Sequence, residues 1–125
     1  MNVVDSSAWL EYLAGAPNAG QFARAIENTD QLIVPTLNVY EVFKRVTQQR
    51  SEGEALQAIA LMQQGHVVDM DTRIAVEAAR TSIRHQLPLA DSVILATARQ
   101  YKAVLWTQDL HFEGIEGVEY RKPVR

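Results

Sequence analysis

The chain is 125 residues long, 47% hydrophobic and 22% charged, with a formal net charge of −3. Those values describe one globular domain with a single core, and an acidic balance argues against a general nucleic-acid coat protein, which would be basic. Cysteine is absent, so disulfides, thiolate metal sites and cysteine nucleophiles are all excluded.

No apolar run approaches the roughly 18 residues needed to span a bilayer. The first ten residues carry neither the basic nor the apolar region of a signal peptide, so the expectation is a cytoplasmic protein. Nine of the twelve basic residues are Arg, a side chain suited to bidentate phosphate contacts but more often found on solvated helix faces.

Asn2-Val3-Val4 reads as a very short buried strand. Asp5 follows it, then Ser6 and Ser7, hydroxyls able to cap a helix. Trp9, Leu10 and Leu13 lie at helical spacing, and Gly15 closes that helix. Asp5 is then either an N-cap or an acid held at a strand's carboxyl end. Asn18 to Asn28 predicts a second helix, and Gln31 to Val34 a strand that stops at Pro35. Thr36 is expected to cap a long helix with Leu37, Tyr40, Val42, Phe43 and Val46 apolar. Glu41 falls inside that apolar set, with Arg45 at i+4 as an ordinary surface partner.

Arg50 to Gly53 reads as a polar break, Glu54 to Gln64 as a helix ended by Gly65, and His66 to Met70 as a third strand. The helix expected from about Thr72 to His85 turns Ile74, Ala75, Ala78, Ala79 and Ile83 inward. Arg73, Arg80 and Arg84 form a charged outer stripe. Residues 88–109 are the stretch the chain is organised around. Pro88 fits the first position of a helix, and Ala90, Val93, Ile94, Leu95, Ala96 and Ala98 make that helix buried on most of its girth. Asp91 nevertheless stands in its first turn. A short strand through Trp106 and Thr107 follows and ends at Asp109. Leu110 to Phe112 predicts a turn and Gly117 to Tyr120 a last edge strand, with Lys122, Pro123 and Arg125 as a tail. Strands alternating with helices indicate a single α/β domain with a mainly parallel central sheet flanked by helices.

Taken as a set, Asp5 and Asp109 follow buried strands, while Glu41 and Asp91 sit on apolar helix faces. Right-handed crossovers bring helix starts and strand ends to one edge of the sheet. Four acids meeting there would raise one another's pKa values unless cations relieve them. An all-oxygen set suits Mg²⁺ or Mn²⁺. The histidines His66, His85 and His111 show no ligand spacing and are expected to be structural or surface residues. A nucleophile elbow and a glycine-rich phosphate loop are both missing from the sequence. An acidic Mg²⁺ cluster then points to phosphodiester chemistry.

Four segments carry a family resemblance: Val3-Val4-Asp5-Ser6-Ser7, Asn38-Val39-Tyr40-Glu41-Val42, Leu87-Pro88-Leu89-Ala90-Asp91-Ser92 with the helix after it, and Thr107-Gln108-Asp109-Leu110-His111-Phe112. Together they resemble the four signatures of PIN-domain nucleases, and their order and the chain length resemble the VapC toxins of toxin–antitoxin pairs. The resemblance covers residues 1–125 as a single PIN domain and implies a three-layer, Rossmann-like fold. It further implies a Mg²⁺- or Mn²⁺-dependent endoribonuclease that cleaves RNA, is silenced by a small antitoxin protein and forms a homodimer. By motif, Asp5, Glu41, Asp91 and Asp109 would be the catalytic metal ligands, with Ser6 beside the first and Thr107 supporting the last. Some relatives have a further acid where this chain has His111. Trp9, Tyr12 and Leu13, facing Tyr40, Phe43 and Lys44, are expected to line a groove for an antitoxin helix.

Other classes fit less well. A receiver-like phosphoacceptor domain would pair acids after the first strand and place Lys after a late one, where this chain has Val4 and Asp109. A haloacid-dehalogenase-like phosphatase would have an acid at Ser7. A PIN-like RNA- or protein-binding module without catalysis is the remaining alternative.

Overall fold

Successive residues of a strand face opposite sides of a sheet, and here that period sorts the core into layers. In the computed structural model, which describes residues 1–124, Asn2–Val4 form β1, Leu32–Pro35 β2, His66–Val68 β3, Val104–Thr107 β4 and Val118–Tyr120 β5. The strands lie in the order β3-β2-β1-β4-β5, and every pairing is parallel. Val4, Leu32 and Val34 join one apolar cluster with Trp9, Phe22, Ile26, Val42 and Met62. Val3, Ile33 and Leu105 face the other side and pack with Ile94, Leu95, Ala98 and Phe112.

The helices are α1 (Ser6–Leu13), α2 (Ala19–Glu27), α3 (Thr36–Gln49), α4 (Glu52–Met62), α5 (Thr72–His85) and α6 (Leu89–Gln100). The result is the expected three-layer α/β domain, with a sheet that is parallel throughout. The chain winds outward from β1 through β2 to β3, then returns to the other side of β1 as β4 and β5. The winding direction therefore reverses between β1 and β4. In open parallel sheets ligands bind outside the carboxyl ends of the strands at such a reversal.

Seven consecutive residues of α6, Ser92 to Ala98, are buried, which confirms this helix as the packing centre. Its two interior hydroxyls are satisfied locally: Ser92 Oγ donates to the Pro88 carbonyl at 2.8 Å and Thr97 Oγ1 to the Val93 carbonyl at 2.7 Å. α5 lies against α6 through Ile74, Ala78, Val93 and Ala96.

Several local expectations shift. Pro88 is the residue before α6 rather than its first, and its carbonyl accepts the Ser92 N–H. Likewise β2 runs through Pro35 straight into α3, so Thr36 is the first helical residue, not the cap. α4 starts at Glu52, because Ser51 Oγ accepts the Glu54 N–H; Ser51 and Glu54 are spaced as in a capping box. The third strand stops at Val68. Ile83 is 82% exposed: the inward residues of α5 are Ile74, Ala78 and Thr81, and a position two beyond Thr81 points to the opposite side. Trp9 is fully buried in the core, not part of a groove, with its ring edge-on to Tyr12. Arg125 of the expected tail lies outside the described residues. Among the described residues no helix is long and apolar enough to cross a membrane.

Candidate metal centre at the sheet reversal

Asp5 leaves β1 in extended conformation, and its carbonyl accepts the N–H groups of Ala8 and Trp9, both at 3.0 Å. The backbone is thus an N-cap, but the side chain makes no capping bond. Its carboxylate turns instead toward the sheet reversal. There Oδ2 accepts from Ser7 Oγ at 2.8 Å and from Thr107 Oγ1, at the end of β4, at 2.9 Å. Burial pushes the Asp5 carboxyl up to about 6, the two hydroxyls offset part of that, and the charges of Asp91 and Asp109 add to it.

Ser6 supports a different acid from the one beside it in sequence. Its Oγ donates to Glu41 Oε1 at 2.7 Å, and it lies 2.7 Å from the side-chain amide of Asn38. Asn38 is fully buried. With its oxygen toward the Ser6 N–H (3.2 Å) and its nitrogen toward the Val4 carbonyl (3.3 Å), it ties the first turn of α3 to the end of β1. Glu41 is half-buried, and among the described residues it forms no ion pair with Arg45. Burial raises its pKa, Ser6 lowers it, and the nearby Asp91 and Asp109 raise it further.

Asp91, in the first turn of α6, and Asp109, just beyond β4, meet at His111. The imidazole Nδ1 is 2.9 Å from Asp91 Oδ2 and 3.4 Å from Asp109 Oδ1. Asp109 also accepts the His111 N–H at 2.9 Å, and its own N–H donates to Thr107 Oγ1 at 2.9 Å. Burial raises Asp91, and the hydrogen bond from His111 partly counters this. Hydrogen bonding to Asp91 in turn raises the His111 imidazole, with Asp109 adding to it. Donor atoms from Asp91, Asp109 and His111 all lie within 4.8 Å of one another.

Asp5, Glu41, Asp91 and Asp109 line one open cleft of about 500 Å³, together with Ser6, Ser7 and residues of α3. The structure thus gathers all four acids named from sequence. It reassigns their support: Ser6 serves Glu41 rather than Asp5, Ser7 serves Asp5, and Thr107 bridges Asp5 and the Asp109 backbone. His111, expected to be structural or surface, is exposed, and its imidazole stands against two of the acids because the turn at Leu110–Phe112 folds it back over Asp109. Ser7 and Asn38 were the other contributors not assigned from sequence. Ser7 lies two residues from Asp5, and Asn38 three residues before Glu41.

Such a donor set fits a divalent cation. Asp5 and Glu41 are held by neutral hydroxyls, Asp91 and Asp109 meet at the imidazole of His111, and among the described residues that imidazole is the only cationic partner of the four carboxylates within salt-bridge distance. Oxygen donors with one imidazole suit Mg²⁺ or Mn²⁺.

The fold is shared with solved toxin–antitoxin structures. A toxin–antitoxin complex from Klebsiella pneumoniae contains a chain that superposes with a TM-score of 0.79 at 23% identity, covering 95% of this chain and 96% of that one. VapBC2 from Rickettsia felis, bound to a DNA fragment from its promoter, gives 0.74 at 10% identity, covering 97% of each chain. The sarcin–ricin-loop-cleaving toxin VapC20 of Mycobacterium tuberculosis gives 0.70 at 16% identity, covering 83% and 85%. No curated protein matches the sequence. The family model described as PIN domain matches residues 3–118, which takes in both halves of the sheet and all four acids, and the chain therefore belongs to the PIN domain family.

Proposed function

We propose that the protein is a divalent-metal-dependent endoribonuclease and the toxin of a toxin–antitoxin pair. The observation that carries the reading is the convergence of Asp5, Glu41, Asp91 and Asp109 in one cleft at the sheet reversal. These four residues, with His111 beside two of them, would hold Mg²⁺ or Mn²⁺. Bound there, the ion supplies neutralisation of the cluster, a lowered pKa for water and polarisation of a phosphate.

The chain's own contribution is orientation. Ser7 and Thr107 fix the Asp5 carboxylate, Ser6 fixes Glu41, and the Asp109 N–H bonded to Thr107 keeps that turn in register with β4. Asp91 stands at the amino end of α6, where the helix dipole favours an ionised carboxylate.

Two surfaces support the partner assignments. A groove of about 480 Å³ between α1, α3 and α4 is lined by apolar Leu10, Leu13, Val46 and Leu61 and by polar Arg50 and Glu54 among others. It takes the place of the groove expected around Trp9 and accommodates an antitoxin helix that sends a cationic side chain toward the acids. Val76 and Ile83, seven residues apart on α5, are exposed with Arg80 between them, and this mixed face is the one assigned to a homodimer contact. The expected setting is the cytoplasm.

Purified protein should cut RNA with Mg²⁺ or Mn²⁺ and stop when EDTA is added, and Asp91→Asn should be inactive with an unchanged fold. Cleavage that persists in EDTA, or in Asp91→Asn, would remove the metal from the mechanism. Light scattering of the isolated chain reads the dimer.

A further inference from the structure

Of the four acids, Asp109 is the one whose direction is left to a turn. Asp5 accepts from two hydroxyls and Glu41 from one, while Asp91 is carried by α6. Asp109 stands beyond the end of β4, and among the described residues its carboxylate meets only His111. Around it the side chains alternate. Thr107 turns to Asp5 and Asp109 to His111, whereas Gln108 between them turns to the loop joining α1 and α2. There it enters a closed ring of hydrogen bonds. Gln108 Nε2 donates to Glu11 Oε1 at 3.0 Å, Asn18 Nδ2 donates to Gln108 Oε1 at 3.1 Å, and the Asn18 N–H donates to Glu11 Oε2 at 2.8 Å. Asn18 is 6% exposed, and its Nδ2 also donates to the Lys122 carbonyl at 2.9 Å. Glu11 forms no ion pair among the described residues; its half-buried carboxylate is given wholly to these two N–H donors, and hydrogen bonds to a charged acceptor are the stronger kind. None of the three ring residues lines the acid cleft.

We propose that Gln108 is a positioning residue for the Asp109 carboxylate, locked from behind by Glu11 and Asn18 so that the fourth acid faces the other three. The proposal rests on the metal-dependent nuclease reading, in which Asp109 is a ligand. Asp109 repels Asp5, Glu41 and Asp91, and the same repulsion pushes Asp109 out of the cleft before any cation arrives. Its turn therefore needs a restraint on the side away from the charges. Gln108 supplies one because both ends of its amide are held, which limits rotation of the peptides on either side of it. On the cleft side the Asp109 N–H donates to Thr107 Oγ1 at 2.9 Å, so the turn is gripped from both faces. Groups that orient a metal ligand without touching the metal set its affinity through that ligand's placement. The ring also joins segments remote in the chain, since Gln108 lies 97 residues from Glu11 and 90 from Asn18.

The test combines calorimetric titration of Mn²⁺ into the full chain, thermal melts in EDTA and cleavage kinetics on an RNA of mixed sequence. Gln108→Ala should lower Mn²⁺ affinity about tenfold and lower kcat with it, while KM for RNA stays unchanged because the ring lies outside the cleft. Glu11→Gln should act in the same direction, since its amide nitrogen then faces that of Gln108. Gln108→Glu sets two carboxylates against each other and should cost about a hundredfold in Mn²⁺ affinity. Combining Glu11→Gln with Gln108→Glu exchanges donor for acceptor around the ring at constant net charge, and should restore wild-type affinity and kcat. Gln108 is half-buried and outside the apolar clusters, so Gln108→Ala should stay folded and decides the matter if Gln108→Glu does not fold. Variants that melt earlier yet bind Mn²⁺ like wild type would make the ring a brace for the fold alone and overturn the proposal. A double variant no better than Gln108→Glu also overturns it. Mn²⁺ affinity that depends on Gln108 in a chain that cuts no RNA supports the positioning role and removes the nuclease. RNA cleavage and Mn²⁺ affinity both unchanged in Gln108→Ala overturn the positioning role and leave the nuclease standing, and a wild-type chain that takes up no Mn²⁺ overturns both.

Discussion

Replacing Asp5 by Asn should make the metal-free protein more stable, and the gain should depend on pH. Burial lifts the Asp5 carboxyl from 3.8 to about 6, so the folded chain holds this proton more tightly than the unfolded chain does. A group with a raised acid pKa opposes folding once ionised: the cost is small below pH 4, grows between pH 4 and 6, and is constant above. At about 1.4 kcal/mol for each tenfold change in proton affinity, the plateau is about 3 kcal/mol at pH 8. It falls to roughly half that at pH 5 and below about 1 kcal/mol at pH 4. Asparagine removes the charge while its oxygen still accepts from Ser7 and Thr107, which both bond the same carboxylate oxygen in the wild type. For a domain of this length, about 3 kcal/mol corresponds to a rise of roughly 10 °C in melting temperature. The assay is thermal denaturation in EDTA at pH 4, 5 and 8, repeated with Mn²⁺. Asp5→Asn should melt about 10 °C above wild type at pH 8 and close to it at pH 4. Added Mn²⁺ should raise wild type far more than the variant. A variant less stable than wild type at pH 8, or a difference that does not change with pH, would refute the argument that this carboxylate is held at a folding cost.

Asp91→Asn should fold at least as well as wild type in EDTA, since burial and Asp109 both disfavour its charge, while RNA cleavage falls by about a hundredfold or more; melts and gel-based cleavage on one preparation read both. His111→Ala should weaken Mn²⁺ binding about tenfold by calorimetry, because an imidazole nitrogen lies 2.9 Å from Asp91 and 3.4 Å from Asp109; unchanged Mn²⁺ affinity would exclude His111 from the ion's surroundings. Trp9→Ala should cost about 3–5 kcal/mol in urea denaturation, the mark of a core residue, whereas a groove residue of the same size would cost little.

The arrangement of strands and the positions of the acids were legible because both follow from period and punctuation. Val3 and Val4 before Asp5, and Leu105 to Thr107 before Asp109, are short apolar runs that end in an acid, and parallel winding brings those ends together. The wiring between them was not legible. Whether Ser6 or Ser7 bonds Asp5 depends on a rotation of about 100° between neighbours at the first turn of α1, and composition holds no record of it. His111 was read as structural or surface and is exposed, but its contact with Asp91 and Asp109 was missed for a related reason: ligand spacing is a rule for helices and ribbons, whereas a single turn after Asp109 brings its side chain back by local geometry. Trp9 and Ile83 show the other limit. Both lie at helical spacing from apolar neighbours, and only the packed layers decide that one is enclosed and the other is 82% exposed.

The central position of β1 has a consequence for synthesis. Its residues pair with Leu32 and Ile33 on one side and with Val104 to Trp106 on the other, and the hydroxyl that fixes Asp5 comes from Thr107, 102 residues away. Contacts that far apart in the chain close late and slow folding, because the intervening loop entropy must be lost first. A nascent chain that has reached α5 carries Asp5 and Glu41 but neither Asp91 nor Asp109, and β1 still lacks its second neighbour. The cleft comes into being only when nearly the whole polypeptide is made. For a protein proposed to cut RNA in the cell that makes it, no truncated or half-translated product carries the hazard, and an antitoxin needs to meet only the finished fold.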